Sequence, residues 1–116
     1  MAVSPDFLDM ILEHLEPLGG VTSRRMFGGI GLRRHDLFFG VIDDDVLYLK
    51  VDAETRPDFE AAGGEAFRPY KDHRTANYFT VPLDALEDPD RLAGWAHKAL
   101  DAAARAQARK RPKPAR

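Results

Sequence analysis

The stretch 23–34, SRRMFGGIGLRR, contains the residue types in this sequence that first suggest a chemical function. Three glycines fall within four positions between two pairs of arginines, and glycine-rich loops bind phosphate through their backbone N–H groups. A P-loop requires a lysine directly after its last glycine, whereas the next lysine here is Lys50. A dinucleotide-binding loop requires a glycine where Arg34 stands and then a helix, whereas another β-rich run follows. Neither phosphate-binding motif is therefore present.

A structural role explains these glycines better. We predict a single strand over residues 21–34, in which alternate side chains point to opposite faces of a sheet. The missing side chains would then admit a bulge, a bend or the close approach of another backbone. The same stretch is also the predicted contact surface for a protein partner, formed by Arg24, Arg25, Met26, Phe27, Gly28, Gly29 and Gly31.

The histidines and aspartates form no recognised metal site. Calcium-binding loops alternate their ligands and include a glycine and a distant glutamate, so the consecutive aspartates at 43–45 are predicted to form a hairpin turn instead. The chain has no cysteine, and its 4 histidines lack the spacing of zinc ligands. We therefore expect no metal, no cofactor and no enzymatic activity.

Two neighbouring histidine–aspartate pairs leave one alternative open. His35 with Asp36, and Asp72 with His73, could each transfer a proton if their loops converge in space. Adjacency in sequence does not aim two side chains at one another, and neither serine of the chain lies in a nucleophile-elbow motif. A small-molecule binding protein or a cryptic enzyme built on these four residues remains the alternative.

Apolar periodicity and capping residues predict three helices. The first spans residues 5–16, because Ser4 is a good N-cap and Pro5 fits the first helical position. A short second helix is capped by Asp52 or Thr55 and ends before two glycines. A long third helix begins at residues 88–90 and frays into the basic C-terminal residues.

Five β-rich runs predict an α+β fold with the element order α-β-β-β-α-β-β-α. The predicted strands are VTSRRMFGGIGLRR, DLFFGVI, VLYLKV, EAFRPYK and NYFTVPL, with a tight hairpin between the second and third. Most of the aromatic residues lie on these strands. They are predicted to pack in the core or in a dimer interface rather than to stack on bases. Trp95 of the last helix is predicted to pack against the sheet.

The charge is distributed unevenly along the 116 residues. Residues 1–104 carry a net charge of −8, and residues 105–116 carry +6. We therefore predict one domain over 1–104 and a basic, disordered tail over 105–116. The tail is the predicted site of weak nucleic-acid contact, through Arg105, Arg109, Lys110, Arg111, Lys113 and Arg116.

The sequence contains no apolar run long enough for a membrane span and no N-terminal secretory signal. The longest run, LFFGVI, is far shorter than the roughly 20 residues that a spanning helix needs. Together with the absence of cysteine, this indicates a cytoplasmic protein.

Five strings, RRMFGGIGL, LYLKVD, FEAAGGEAF, YFTVP and LAGWAHKAL, together resemble the N-terminal domain of the TfoX/Sxy family of bacterial competence regulators. The resemblance covers roughly residues 21–101. It implies a two-layer, secretion-chaperone-like fold, with a five-stranded antiparallel sheet and helices on one face. It also implies a tendency to dimerise, and it assigns no catalytic residue. The helical C-terminal domain of full-length competence regulators has no counterpart in this sequence.

The residues and the resemblance together predict a non-catalytic protein-interaction module. We expect a cytoplasmic homodimer with a role in transcription or competence that it exerts through a protein partner. Association with nucleic acid through the basic tail is the second hypothesis, because an acidic body repels the phosphates that supply most of the affinity.

Overall fold

A computed structural model of the chain describes residues 3–26, 28–67 and 77–110. Its five strands form one antiparallel sheet in which the spatial order, β1-β2-β3-β4-β5, repeats the order along the chain. The helices pack on one face of the sheet, and the two-layer α+β class predicted from the sequence is confirmed. The strands are β1 Val21–Met26, β2 Gly29–Arg34, β3 Leu37–Asp43, β4 Val46–Lys50 and β5 Tyr78–Thr80. The helices are α1 Pro5–Leu15, α2 Arg56–Ala61, α3 Leu83–Leu86 and α4 Pro89–Lys110, with a 3-10 turn at Glu16–Leu18.

The single strand predicted over residues 21–34 is wrong, because the chain reverses within it. β1 and β2 form an antiparallel hairpin in which Met26 pairs with Gly29, so only two residues connect the strands. Gly28 adopts a φ of 81°, a conformation that glycine reaches without steric cost. The alternation predicted across the whole stretch is therefore interrupted at this turn.

The predicted fourth strand, over EAFRPYK, lies largely outside the described residues. Within the part described, Ala66 forms an isolated antiparallel bridge with Phe79 of β5. The sheet thus reaches five strands through the division of the predicted first strand. Within the described residues, the element order accordingly has four strands before α2 and one after it, where the sequence predicted three and two.

The predicted hairpin at residues 43–45 is confirmed. Asp43 pairs with Val46, and the two residues between them, Asp44 and Asp45, have φ values of 53° and 58°. Positive φ at both central positions defines the type I′ turn, whose twist matches that of the flanking strands. The Asp45 carboxylate also accepts a hydrogen bond from the backbone N–H of Ser4 at 2.7 Å, so the turn holds the start of α1.

The N-terminus of α1 follows the capping pattern in the sequence. The Ser4 hydroxyl accepts a hydrogen bond from the Phe7 N–H at 3.2 Å, and Pro5 occupies the first helical position. α2 differs, because no side-chain capping bond forms at Thr55. Instead the Asp52 carboxylate accepts hydrogen bonds from the N–H groups of Glu54 and Thr55, and these stabilise the turn that leads into α2.

The hydrophobic core lies between the sheet and the helices. Its sheet side comes from buried apolar residues of β2 to β5, and α4 contributes small and apolar side chains that let the helix approach the sheet closely. The register of β3 shifts by one residue at Phe39, which is fully buried. The largest fully buried side chains are Phe39, Phe59, Ile11, Leu15, Leu32, Ile42, Leu47, Leu49 and Leu92.

The last helix continues beyond the domain boundary predicted at residue 104. α4 has 22 residues and ends at Lys110, so half of the segment predicted as a disordered tail is helical. Trp95 of α4, which was predicted to pack against the sheet, packs edge-on against Phe59 of α2, with ring centroids 4.7 Å apart. It is partly buried against the core. No helix in the described part of the chain is long and apolar enough to span a membrane.

Candidate interaction surface

Among the residues that the structure describes, β1 is an edge strand of the sheet, with β2 on one side and no strand on the other. Its residues 22–25 are exposed. In an antiparallel pair, alternate residues of an edge strand direct their N–H and C=O groups away from the neighbouring strand. β1 therefore presents a row of backbone hydrogen-bonding groups to its surroundings.

The arginines that bracket the glycines differ in their contacts. Arg34 donates from Nε to the Leu18 and Gly19 carbonyls at 3.2 and 2.9 Å, which holds the turn after α1. Arg24 and Arg25 are exposed neighbours on β1, and in the described part of the chain no ion pair joins either of them. Because adjacent strand residues point to opposite faces, the two put positive charge on both sides of the sheet edge.

A hollow of about 230 Å³ lies beside β1 on the sheet face away from the helices. A Cβ on Gly31 would lie 2.5 Å from Met26 Sδ and 2.8 Å from Phe38 Cε1, so the missing side chain makes room for both. The Arg33 guanidinium lies 5.9 Å from the centre of the Phe38 ring. The hollow is lined by Thr22, Ser23, Arg24, Met26, Gly31, Arg33 and Phe38.

The structure thus brings together part of the predicted partner surface and extends it. Arg24, Met26 and Gly31 meet at the hollow, Arg25 lies on the opposite side of the edge, and Phe27 falls outside the described residues. Sequence reasoning missed Arg33 and Phe38, which reach the hollow from β2 and β3. Recognition of the turn at Gly28 would have placed Arg33 beside β1, because that turn sets the pairing of β1 with β2. Phe38 depends in addition on the register of β2 with β3.

The same sheet face carries two aromatic pairs. Phe38 and Tyr78 have ring centroids 6.1 Å apart, and Tyr48 and Phe67 have centroids 4.6 Å apart. Burial raises the pKa of the Tyr78 hydroxyl above its ordinary value. The predicted core packing of strand aromatics holds for Phe39 and Phe79, which are buried among the residues of the core.

The residues of the catalytic alternative are only partly described. A Cβ on Gly20 would lie 2.7 Å from the His35 ring, and Asp36 accepts hydrogen bonds from the Gln107 amide at 3.3 Å. Asp72 and His73 lie outside the described residues. In the part of the chain that the structure describes, no group of three or more histidine, aspartate or glutamate side chains is arranged to hold a metal ion.

Arg105, predicted to contact nucleic acid, forms an ion pair with Asp52. Its Nε and Nη2 donate to the carboxylate at 2.7 and 3.1 Å, which ties α4 to the turn before α2. Arg109 lines a cleft of about 500 Å³ whose wall also includes Lys50 and Arg56. The Lys110 side chain and residues 111–116, which include Arg111, Lys113 and Arg116, lie outside the described part. Nucleic-acid contact by these six residues stays a prediction.

The ion pair between Asp52 and Arg105 makes the free energy of unfolding depend on pH in the acidic range. The Arg105 guanidinium, by hydrogen bonding, holds the pKa of the Asp52 carboxyl at about 2, below the ordinary 3.8. A carboxyl whose pKa is lower in the folded state stabilises the fold above the unfolded-state pKa. We expect this contribution to be complete above about pH 5 and to be lost as pH falls from about 4 towards 2. Unfolding free energies measured across that range should fall less in Asp52→Asn than in the unmodified chain.

Asp58→Asn is the matched control for that prediction. Asp58 forms an ion pair with Lys98 at 2.9 Å, but its side chain is 54% exposed, and water screens such pairs. The control should retain the pH dependence of the unmodified chain. Equal slopes for the unmodified chain and Asp52→Asn would contradict the assignment to Asp52.

The sheet, its one-sided helix layer and its open edge define a small two-layer α+β domain. The family model described as the TfoX N-terminal domain matches residues 13–103, so the chain belongs to that family. The resemblance seen in its sequence strings is thereby confirmed. The chain is also 33% identical, over 89 residues, to the DNA transformation protein TfoX1 of Aliivibrio fischeri. That match covers 75% of this chain and 43% of the relative, so the chain matches less than half of the relative's length.

Proposed function

We propose that the chain is a non-catalytic module that contacts a protein partner through β1 in a competence-related role. The observation that carries this proposal is the open edge of β1, where Arg24 and Arg25 are exposed and joined by no ion pair within the described residues. The name of the Aliivibrio fischeri relative, a DNA transformation protein, supports the competence-related part. A cytoplasmic location and an action in transcription belong to the same proposal.

The proposed homodimer uses a face other than β1. Two β1 strands paired in antiparallel fashion would bring Arg24 and Arg25 of both copies into a short shared segment, and like charges facing each other across strands are destabilising. The aromatic sheet face can take this role, because it carries the Phe38–Tyr78 pair without using the arginine edge. The molar mass in solution, from light scattering, tests this assembly.

A chimera tests the competence-related role. This chain replaces the matching segment of TfoX1 in Aliivibrio fischeri, and the frequency of DNA transformation is measured. We expect the chimera to restore transformation at least tenfold above a strain that lacks the segment. In the same chimera, the double variant Arg24→Glu/Arg25→Glu should lose most of this gain, because it reverses the charge of the contact surface.

The control chimera carries Arg91→Glu/Lys98→Glu, which changes the net charge equally on α4 at side chains that are 61% and 41% exposed. It should transform as well as the unmodified chimera. A failure of the unmodified chimera, despite normal protein levels, would refute the proposed role. Equal frequencies for the edge variant and the control would show that β1 is not the contact.

A further inference from the structure

We propose that the partner binds as an extended segment with consecutive acidic residues, which adds to β1 as a sixth strand of the sheet. This inference rests on the proposed function and assigns the chemistry of the partner. Strand addition is a recurring mode of peptide recognition, in which main-chain hydrogen bonds give affinity and side chains give specificity. β1 has the two properties that this mode requires. The first is an open ladder, which is its row of backbone hydrogen-bonding groups directed away from β2, and the second is side chains that can select the partner.

The open ladder is long enough for strand addition. β1 has six residues, all paired with β2, so its backbone is held in the extended conformation before any partner arrives. The opposite edge of the sheet differs, because β5 has only three residues and Ala66 bridges Phe79 there. Of the two edge strands in the described residues, β1 therefore provides the longer uncovered ladder.

The side chains of β1 select for negative charge on both faces of the added strand. Arg24 and Arg25 are neighbours and point to opposite faces, so each lies beside a different face of an added strand. Arg33, which pairs with Thr22, adds a cation on the Arg24 face. Two consecutive acidic residues in the partner would point to opposite faces in the same way. Each could then lie across from an arginine, an arrangement that stabilises strand pairs.

Two other occupants fit this edge less well. A second β1 strand concentrates four arginines in one short segment, and exposed edge strands commonly carry charge that blocks pairing between copies. Nucleic acid must approach a body whose residues 1–104 carry a net charge of −8, which repels phosphate. An acidic peptide has fewer charges than a duplex, and it also uses the backbone groups that a duplex leaves unpaired.

The probe is a fluorescein-labelled peptide, Thr-Val-Thr-Glu-Glu-Val-Thr-Val, titrated into the full chain with fluorescence anisotropy as the readout. We expect it to bind about tenfold more tightly than the same peptide with two glutamines in place of the glutamates. This advantage should shrink as salt is added, because exposed charge pairs are screened. Methylation of alternate backbone nitrogens keeps the charge but removes ladder donors, so it should weaken binding by about tenfold or more.

Variants and hydrogen exchange locate the binding site. Arg24→Glu/Arg25→Glu should weaken binding of the acidic peptide by about tenfold, and the control Arg91→Glu/Lys98→Glu should change it less than twofold. The peptide should also slow amide hydrogen exchange at alternate residues of β1. A circular dichroism spectrum and an unfolding curve for each variant confirm that it remains folded.

Any one of several results would overturn the inference. These are no peptide binding up to millimolar concentration, equal binding of the glutamate and glutamine peptides, no effect of backbone methylation, or no protection of β1 amides. If duplex DNA binds more tightly than the acidic peptide, and this binding depends on Arg24 and Arg25, the edge would be assigned to nucleic acid. A dimer that these charge reversals dissociate would assign it to a second copy.

The peptide and transformation experiments can fail separately. Loss of transformation in the Arg24→Glu/Arg25→Glu chimera without peptide binding would retain the proposed function and remove strand addition. Peptide binding with protected β1 amides, but no transformation by the unmodified chimera, would remove the competence-related role and retain the recognition mode.

Discussion

Gly29→Ala should destabilise the domain by about 3 kcal/mol, the upper part of the range for overpacking a well-filled site. Gly29 is buried in β2, and a Cβ there would lie 2.6 Å from the backbone oxygen of Ile42 in β3. Relief of this contact requires the two strands to separate, because the obstacle is backbone rather than a flexible side chain. Urea unfolding, followed by circular dichroism, measures the loss as a lower midpoint.

Gly94→Ala is the matched control, with the opposite expected sign. Gly94 is exposed in α4, and a Cβ there would meet no atom within 4 Å. Alanine is more favourable than glycine in a helix interior by about 0.8–1.0 kcal/mol, so this variant should be stabilised. Destabilisation by both substitutions, or by neither, would contradict the close approach of β2 and β3 at Gly29.

Phe59→Ala should cost about 3–5 kcal/mol, which is typical of a large aromatic side chain removed from a core. Phe59 of α2 is fully buried and packs edge-on against Trp95 of α4. Its loss removes the aromatic contact between these helices and leaves a cavity beneath Trp95. Tryptophan fluorescence should therefore report both the lower unfolding midpoint and a more solvent-exposed Trp95 in the folded state.

Leu83→Ala serves as the control for the Phe59 variant. Leu83 is a large apolar residue of α3 that is 70% exposed, so its truncation should change stability by no more than about 0.5 kcal/mol. A loss at Leu83 as large as the loss at Phe59 would contradict the exposed position of Leu83 and the specific contribution of Phe59 to the core.

The parts of the fold that could be predicted from the sequence depend on short-range signals. Ser4 and Pro5 place the start of α1 because a capping hydroxyl and a fixed φ act within one turn. The hairpin between β3 and β4 was predictable because aspartate tolerates the positive φ that Asp44 and Asp45 adopt. In each case the residue that determines the local structure lies within it.

The turn between β1 and β2 could not be placed in the same way. Any of Gly28, Gly29 and Gly31 could occupy a turn, and the arginine pairs on either side of the glycines do not distinguish a turn from a continuous strand. The choice depends on packing, because Gly29 must lie against the backbone of Ile42 and Gly31 must lie beneath Met26 and Phe38. Those contacts exist only after β3 has joined the sheet.

Contacts between residues far apart in the sequence could not be predicted, for a related reason. The ion pair between Asp52 and Arg105 joins residues 53 positions apart, and each looks like an ordinary surface charge in its own segment. It explains why α4 remains tied to the domain beyond residue 104, where composition alone suggested a tail. The candidate surface was predicted in part, since Arg24 and Arg25 are adjacent in sequence, whereas Arg33 and Phe38 reach it through strand register.

The agreement between strand order and chain order has a consequence for how the domain folds. Each of the first three strands pairs with the next through a two-residue turn, so the sheet from β1 to β4 can form by successive local loop closures of low entropic cost. Contacts between α1 and α4 join the two ends of the chain and require its longest closure. Rapid formation of the β-meander, followed by docking of α4, is therefore the folding order that this topology favours.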